Sequence, residues 1–265
     1  MQPPRLSDAL GHGVADKRID ILRAIGRTGS ISQAARDVAV SYKAAWQAVD
    51  TLTNLAGVPL VGRAVGGVGG GGASLTAQGQ QLLDLADALD EARQAVQARW
   101  AARQGNAPGP VQAAYARLAL RTSMRNQLPG LIATLQGQDR IARVTVQFGE
   151  AGAAEKAPAM TARITRESAE LLGLEPGMPV VVLCKATAVR VVAAGQIADG
   201  KPGQDNQMQG PVAAVAMGAS GDEVTLGVAG GLQLVGFAPG GSGLQPGQQA
   251  LAVVDETAVV IALPG

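Results

Sequence analysis

Arg125-Asn126-Gln127-Leu128-Pro129-Gly130 returns further along the chain as Asp205-Asn206-Gln207-Met208-Gln209-Gly210. Two later stretches behave the same way. Leu174-Glu175-Pro176-Gly177 returns as Leu244-Gln245-Pro246-Gly247, and Lys185-Ala186-Thr187-Ala188-Val189 as Asp255-Glu256-Thr257-Ala258-Val259. A small unit is therefore written twice in the C-terminal half. The two cations at the matched positions, Arg125 and Lys185, become acids in the second copy. A duplicated module in which one copy carries most of an anion site would look like this.

Around these anchors the first copy reads as strands: 131–135, 142–146, 160–164, 180–183 and 188–192. Thr165 can cap a short helix, 167–172, which Gly173 ends. Five short strands and a short helix in roughly seventy residues predict a small barrel of the oligonucleotide/oligosaccharide-binding type. A linker then leads to the second copy, 204–263. Carrying the register of the later matches back without a gap puts Val235 opposite Thr165 and Ala238 opposite Ser168. On that register the second copy loses hydroxyls as well as cations, and Pro239-Gly240-Gly241 should abolish its short helix.

Three pieces of the first copy carry chemistry suited to an oxyanion. Ser123-Met124-Arg125-Asn126 offers a hydroxyl, a guanidinium and backbone N–H groups. Thr165-Arg166-Glu167-Ser168 opens a helix, where unpaired N–H groups and the helix dipole favour negative charge. Lys185-Ala186-Thr187 adds an ammonium, a hydroxyl and further donors. Thr165 reads equally as a structural cap, and Arg125 and Lys185 as solvated surface charge.

The N-terminal third follows another pattern. Ile19, Leu22 and Ile25 recur on one helix face before Gly26. Ser30 opens a short helix containing Ala34-Ala35, and Ser41 caps a third helix running to about Asn54 with Ala45, Val49 and Leu52 inward. Short helix, tight turn and longer capped helix make a helix-turn-helix. Its outward face is read as Ser41, Tyr42, Lys43, Ala44 and Gln47, groups that suit base edges and phosphates in a major groove, with Trp46 packed on the scaffold. Residues 59–63 and 73–76 form two strands of a wing around a glycine-rich tip, and Arg63 joins Lys43 as a phosphate contact. Gly67 to Gly72 fits G-x-G-x-x-G, but it lies between short strands and opens no helix, so no dinucleotide site follows.

Residues 76–103 make one long helix whose apolar stripe (Leu82, Leu83, Leu85, Leu89, Val96, Trp100) exceeds what a winged domain covers. The expected cover is the same helix of a second subunit, and such a dimer would meet a palindromic site on double-stranded DNA. Gly105 to Pro110 reads as a hinge. Charge follows the same division: net +3 over 1–75, +3 over 121–192 and −5 over 193–265, within an overall +1.

Composition removes other classes. Hydrophobic residues make up 47% but aromatics only 2%, so the cores are built from Ala, Val, Leu and Ile. One Cys (Cys184) and one His (His12) leave no internal disulfide, and they exclude ordinary Ser-His-Asp or Cys-His catalysis and metal sites of N and S ligands. With no paired carboxylates or cofactor motif above noise, an enzyme is not expected. No signal peptide and no membrane span is read, so a cytoplasmic protein is the expectation.

Gly29 to Ala35 with Ser41 to Trp46, the wing from Gly66 to Leu75, Ser123 to Gly130, Thr165 to Ser168 and Leu183 to Ala186 occur together in this order. In that combination the chain resembles the molybdate-responsive transcriptional regulators of the ModE family, over almost its whole length. The resemblance implies an α+β multidomain protein: winged helix-turn-helix with a dimerisation helix (1–104), hinge (105–120), first Mop repeat (121–192), linker (193–203) and second Mop repeat (204–265). It implies a homodimer that binds molybdate, or tungstate, between Mop domains of different subunits. The positions matching the family's ligands are Ser123, Arg125, Thr165, Ser168, Lys185 and Ala186, with Asn126 and Thr187 beside them. It also implies repression of molybdate-uptake genes. A molybdate storage or buffering protein is the alternative, against which the wing and the Ser41-to-Gln47 face argue. A regulator sensing an organic acid would need a larger effector domain.

Overall fold

The computed structural model describes residues 17–64, 72–104, 122–148, 158–195, 205–228 and 231–263. Their contacts fall into two units, one within Met1–Ala114 together with Thr165–Leu174, the other within Tyr115–Ile164 and Glu175–Gly265. The expected hinge, the inter-repeat linker over 196–203 and the glycine-rich wing tip at 65–71 lie outside the described residues.

In the first unit, α1 (Lys17–Thr28) buries Ile21, Leu22, Ala24 and Ile25. It packs on α2 (Ile31–Asp37) and α3 (Tyr42–Ala56). The caps are those the serines foretell. Ser30 accepts from the Gln33 N–H, and Ser41 from the Ala44 N–H at 3.1 Å. Ala34, Ala44, Ala45 and Ala48 are fully buried at the helix crossings, where a larger side chain would hold the backbones apart. Strands β1 (Val61–Ala64) and β2 (Gly72–Leu75) pair antiparallel as the wing, Val61 opposite Leu75. Thr76 then caps α4 (Ala77–Gln104), accepting from the Gly79 N–H at 3.0 Å. Leu83 is buried under α4, whereas Leu85, Leu89 and Val96 stand exposed along it. The unit also holds a short helix, α5 (Arg166–Leu171), whose Leu171 joins the buried cluster of α1, α2 and α3.

The second unit is built from β3 (Asn126–Gln138), β4 (Ile141–Gln147), β5 (Ala159–Thr165), β6 (Pro179–Cys184), β7 (Arg190–Ala193), β8 (Asp205–Ala216), β9 (Asp222–Val228), β10 (Leu232–Ala238), β11 (Gln249–Asp255) and β12 (Val260–Ala262). The repeats do not fold as separate barrels. β7 of the first copy inserts between β10 and β11 and closes a barrel with β8 and β9. In exchange, β12 of the second copy pairs with β6, in the open order β12-β6-β3-β4-β5. Each copy thus gives its last strand to the other. The duplication is visible down to irregularities: β3 slips register between Ile132 and Thr134, and β8 between Val212 and Ala214.

Matched asparagines pin the copies together. Asn126 donates Nδ2–H to the Val235 carbonyl at 2.8 Å and accepts the Val235 N–H at 2.7 Å. Asn206 does the same with Thr161, at 2.8 and 2.6 Å. This reciprocity makes Val235 the counterpart of Thr161. The ungapped register, with Val235 opposite Thr165 and Ala238 opposite Ser168, is therefore wrong. The second copy is shorter between β10 and Leu244 because a turn stands where the first copy has α5, as Pro239-Gly240-Gly241 predicts. Asp222 fastens that turn, accepting from the Ser242 N–H at 3.0 Å and hydroxyl at 2.9 Å.

Candidate functional site

The buried stripe of α3 is Ala44, Ala45, Ala48, Val49 and Leu52, which sets what is left to face outward. Tyr42, Lys43 and Trp46 are exposed and Gln47 is half-buried. The structure departs from the sequence expectation at Ala44 and Trp46. Ala44 cannot meet DNA through its side chain, because it sits one position from Ala45 and four from Ala48 in the packed helix crossing and is 0% exposed. Trp46 is not scaffold: it is 43% exposed, edge-to-face with Tyr42 at 6.4 Å between ring centres. An alanine-lined crossing has no room for an indole, which could have been read from Ala44, Ala45 and Ala48. Arg63 lies in β1, and its side chain is outside the described ones.

The Ser41 hydroxyl serves as the α3 cap. Carboxylates of α5 meet the same end of α3. Glu167 pairs with the Lys43 ammonium at 2.7 Å, and Glu170 accepts the Ser41 N–H at 3.1 Å.

The oxyanion candidates separate into two groups. Thr165 and Ser168 open α5: Thr165 Oγ1 accepts the Ser168 N–H at 3.1 Å, and the two hydroxyls lie 2.8 Å apart. The structural-cap reading of Thr165 therefore holds, with a second hydroxyl beside it. In the second unit, Asn126 stands opposite Cys184 on β3 and β6, so Arg125 and Lys185 leave neighbouring strand ends. Ser123, Arg125, Lys185 and Thr187 are exposed, and Ala186 is half-buried. Arg125 reaches Glu223 of the second copy at 2.8 Å, through a contact exposed enough to exchange for another anion. Asn126 is corrected: it is 2% exposed, and its amide is spent on Val235, so it is a structural pin and no anion donor.

The turn after β6 differs from its copy in one telling way. In the second copy the Asp255 carboxylate accepts the Thr257 N–H at 2.7 Å and the Thr257 hydroxyl at 2.6 Å. In the first copy the equivalent turn, Ala186–Ala188, begins at Lys185 and has no side-chain cap. Where one copy supplies its own carboxylate, the other supplies a cation, the same backbone turn and the Thr187 hydroxyl. Beside it, Cys184 is fully buried, and burial pushes its thiol pKa up, which leaves it inert. Among the described residues no cluster of His, Cys, Asp and Glu could hold a metal ion.

A wing and an outward-facing capped helix, on a chain whose second unit is a small barrel and a five-stranded sheet that exchange strands, define a DNA-binding regulator with an appended ligand-binding module. Comparison with known proteins agrees. Residues 17–80 match the bacterial regulatory helix-turn-helix proteins of the lysR family, and residues 122–191 match the TOBE domain. The chain is 35% identical to the molybdenum transport protein ModE of Azotobacter vinelandii over 98% of its own length and 96% of that protein's. It is 34% identical to the DNA-binding transcriptional dual regulator ModE of Escherichia coli (strain K12), covering 93% and 92%. To the molybdenum-pterin-binding protein MopB of Rhodobacter capsulatus it is 33% identical, covering 96% and 92%. The chain belongs to the ModE family of molybdate-responsive transcriptional regulators.

Proposed function

We propose that this chain is a homodimeric repressor that binds molybdate, or tungstate, and then occupies a palindromic operator of molybdate-uptake genes. The winged domain with its long helix (1–104), the hinge (105–120) and the two repeats (121–192 and 204–265) divide the labour. The observation that carries the reading is the exchange at the matched turn, Asp255 in the second copy for Lys185 in the first. A tetrahedral dianion brings four acceptors, and it takes the role that Asp255 plays for Thr257. Its donors are Ser123, Arg125, Lys185, Ala186 and Thr187 from one subunit, and Thr165 and Ser168 from the other. Cation charge supplies attraction, while cavity size separates molybdate and tungstate from the smaller phosphate and sulfate.

The exposed Leu85, Leu89 and Val96 of α4 support dimerisation through that helix. Ser41, Tyr42, Lys43, Gln47 and Arg63 supply the DNA contacts, with Trp46 added to that face. Among the described residues no helix is long and apolar enough to cross a membrane. Storage of the anion, the alternative role, would leave the α3 face without use.

Isothermal titration with molybdate, against sulfate and phosphate, tests the reading. Lys185→Ala should weaken molybdate binding by at least about tenfold, the size expected when a charged hydrogen-bond partner is lost. Undiminished binding in Lys185→Ala, or equal affinity for sulfate, would remove the proposed site.

A further inference from the structure

The acidic side of α5 lies on the end of α3 that the winged domain would present to DNA. Lys43, expected to serve a phosphate, is held instead by Glu167 at 2.7 Å. The Ser41 N–H at the start of α3, another phosphate donor, is held by Glu170 at 3.1 Å. Glu170 is positioned in turn by Arg166 at 3.3 Å on its own helix. These carboxylates are not loose surface charge. Glu167 is 7% exposed, and Leu171 anchors the helix in the buried cluster of α1, α2 and α3. Two carboxylates, one on an ammonium and one on a helix-start N–H, imitate what a DNA phosphate would do at those positions.

We propose that α5 is an autoinhibitory cap on the recognition helix, released when an oxyanion binds. Masking rests on the contacts just given; release rests on the proposed role of Thr165 and Ser168 as oxyanion donors. Those two hydroxyls spend their hydrogen bonding on each other, 2.8 Å apart, and Glu167 lies between them in sequence. An oxyanion that recruits both hydroxyls must break that pairing and rearrange the first turn of α5. It also sets a dianion beside the Glu167 carboxylate, which repels it. Both effects loosen the hold on Lys43, so ligand binding and exposure of the DNA-reading face become one equilibrium.

The test compares the full chain with Glu167→Gln/Glu170→Gln and, separately, Leu171→Ala, which detaches α5 without changing charge. The probe is a fluorescent duplex selected from a random pool by the wild-type protein with molybdate present, its binding read by anisotropy with and without saturating molybdate. Without molybdate both variants should bind roughly threefold to tenfold more tightly than wild type, as expected from freeing two partly exposed charge contacts. With molybdate the difference should vanish. No gain in either variant, with melting temperatures near wild type, overturns the cap. So does a gain confined to the Gln variant and equal with and without molybdate, which is only the loss of two negative charges. If titration shows no molybdate binding, the anion reading has failed by itself. The gain of Leu171→Ala without ligand then still decides whether α5 masks α3.

Discussion

Replacing Asn126 by Ala removes the side chain that holds β3 of the first copy to β10 of the second. The amide is 2% exposed and makes two hydrogen bonds, 2.8 Å to the Val235 carbonyl and 2.7 Å from the Val235 N–H. Val235 is 9% exposed, so little water can replace either bond. Leaving a buried backbone donor and acceptor unpaired costs about 1–3 kcal/mol each, so the variant should lose about 3–4 kcal/mol. The matched change, Asn206→Ala, should cost about half as much. Asn206 is 7% exposed and its partner Thr161 is only half-buried, so water can partly replace the amide. Urea unfolding followed by far-UV circular dichroism reads the strands. Both tryptophans, Trp46 and Trp100, belong to the first unit, so fluorescence reports that unit separately. A cost below about 1 kcal/mol for Asn126→Ala, or an equal cost at the two sites, would refute the pinning role.

Gly130 and Gly210 are matched positions at which strands approach closely. A Cβ at Gly130 would lie 2.5 Å from the Gln147 carbonyl oxygen, and one at Gly210 would strike the Gly227 carbonyl. Either Gly→Ala change should therefore cost about 2 kcal/mol in the same urea assay, and a neutral result would mean the strands shift freely. Acid should act through Asp222, whose carboxyl is held below the ordinary range by the Ser242 hydroxyl and then the Ser242 N–H. A depressed folded-state pKa gives stability that is complete above the ordinary value of about 3.9 and is lost as pH falls from there through the folded value. Ser242→Ala should flatten that acid loss in midpoints measured from about pH 5 to pH 3; an unchanged acid limb would place the sensitivity elsewhere.

What could be read in the sequence was whatever the chain states locally. Ser30, Ser41 and Thr165 cap helices because short hydroxyl side chains reach the N–H groups that a helix start leaves unpaired. The wing and the strands of the first copy follow from apolar pattern and turn residues, and those of the second copy from the matched stretches. The strand exchange between repeats was not legible, since β7 and β12 carry the same alternation whichever copy they join. In the sequence Asn126, an amide beside Ser123 and Arg125, looks like another donor, and only its burial against Val235 shows it spent. Ala44 and Trp46 were exchanged between faces for want of a fixed helix rotation. Alanine gives a weak inward signal, and an aromatic residue a misleadingly strong one. The approach of α5 to α3 joins residues far apart in sequence, and no periodicity encodes such a contact.

The second copy shows why duplication suits an anion sensor. At the turn after β11 it carries Asp255, which satisfies Thr257 without any ligand. It also carries Glu256, which takes Arg143 of the first copy as a bidentate partner through Nε at 3.0 Å and through Nη2. Glu223 takes Arg125 through a single contact, with Nη1 at 2.8 Å. Two acids of the second copy thus pair with cations of the first, within a segment, residues 193–265, whose net charge is −5. At the proposed site an arriving oxyanion would compete with Glu223 for Arg125, while the turn that begins at Lys185 has no side-chain cap to displace. Such a site, if the proposal holds, would answer to oxyanion concentration without depending on the ligand to fold. A sensor must remain intact when its ligand is scarce, and two like copies that both needed the anion could not.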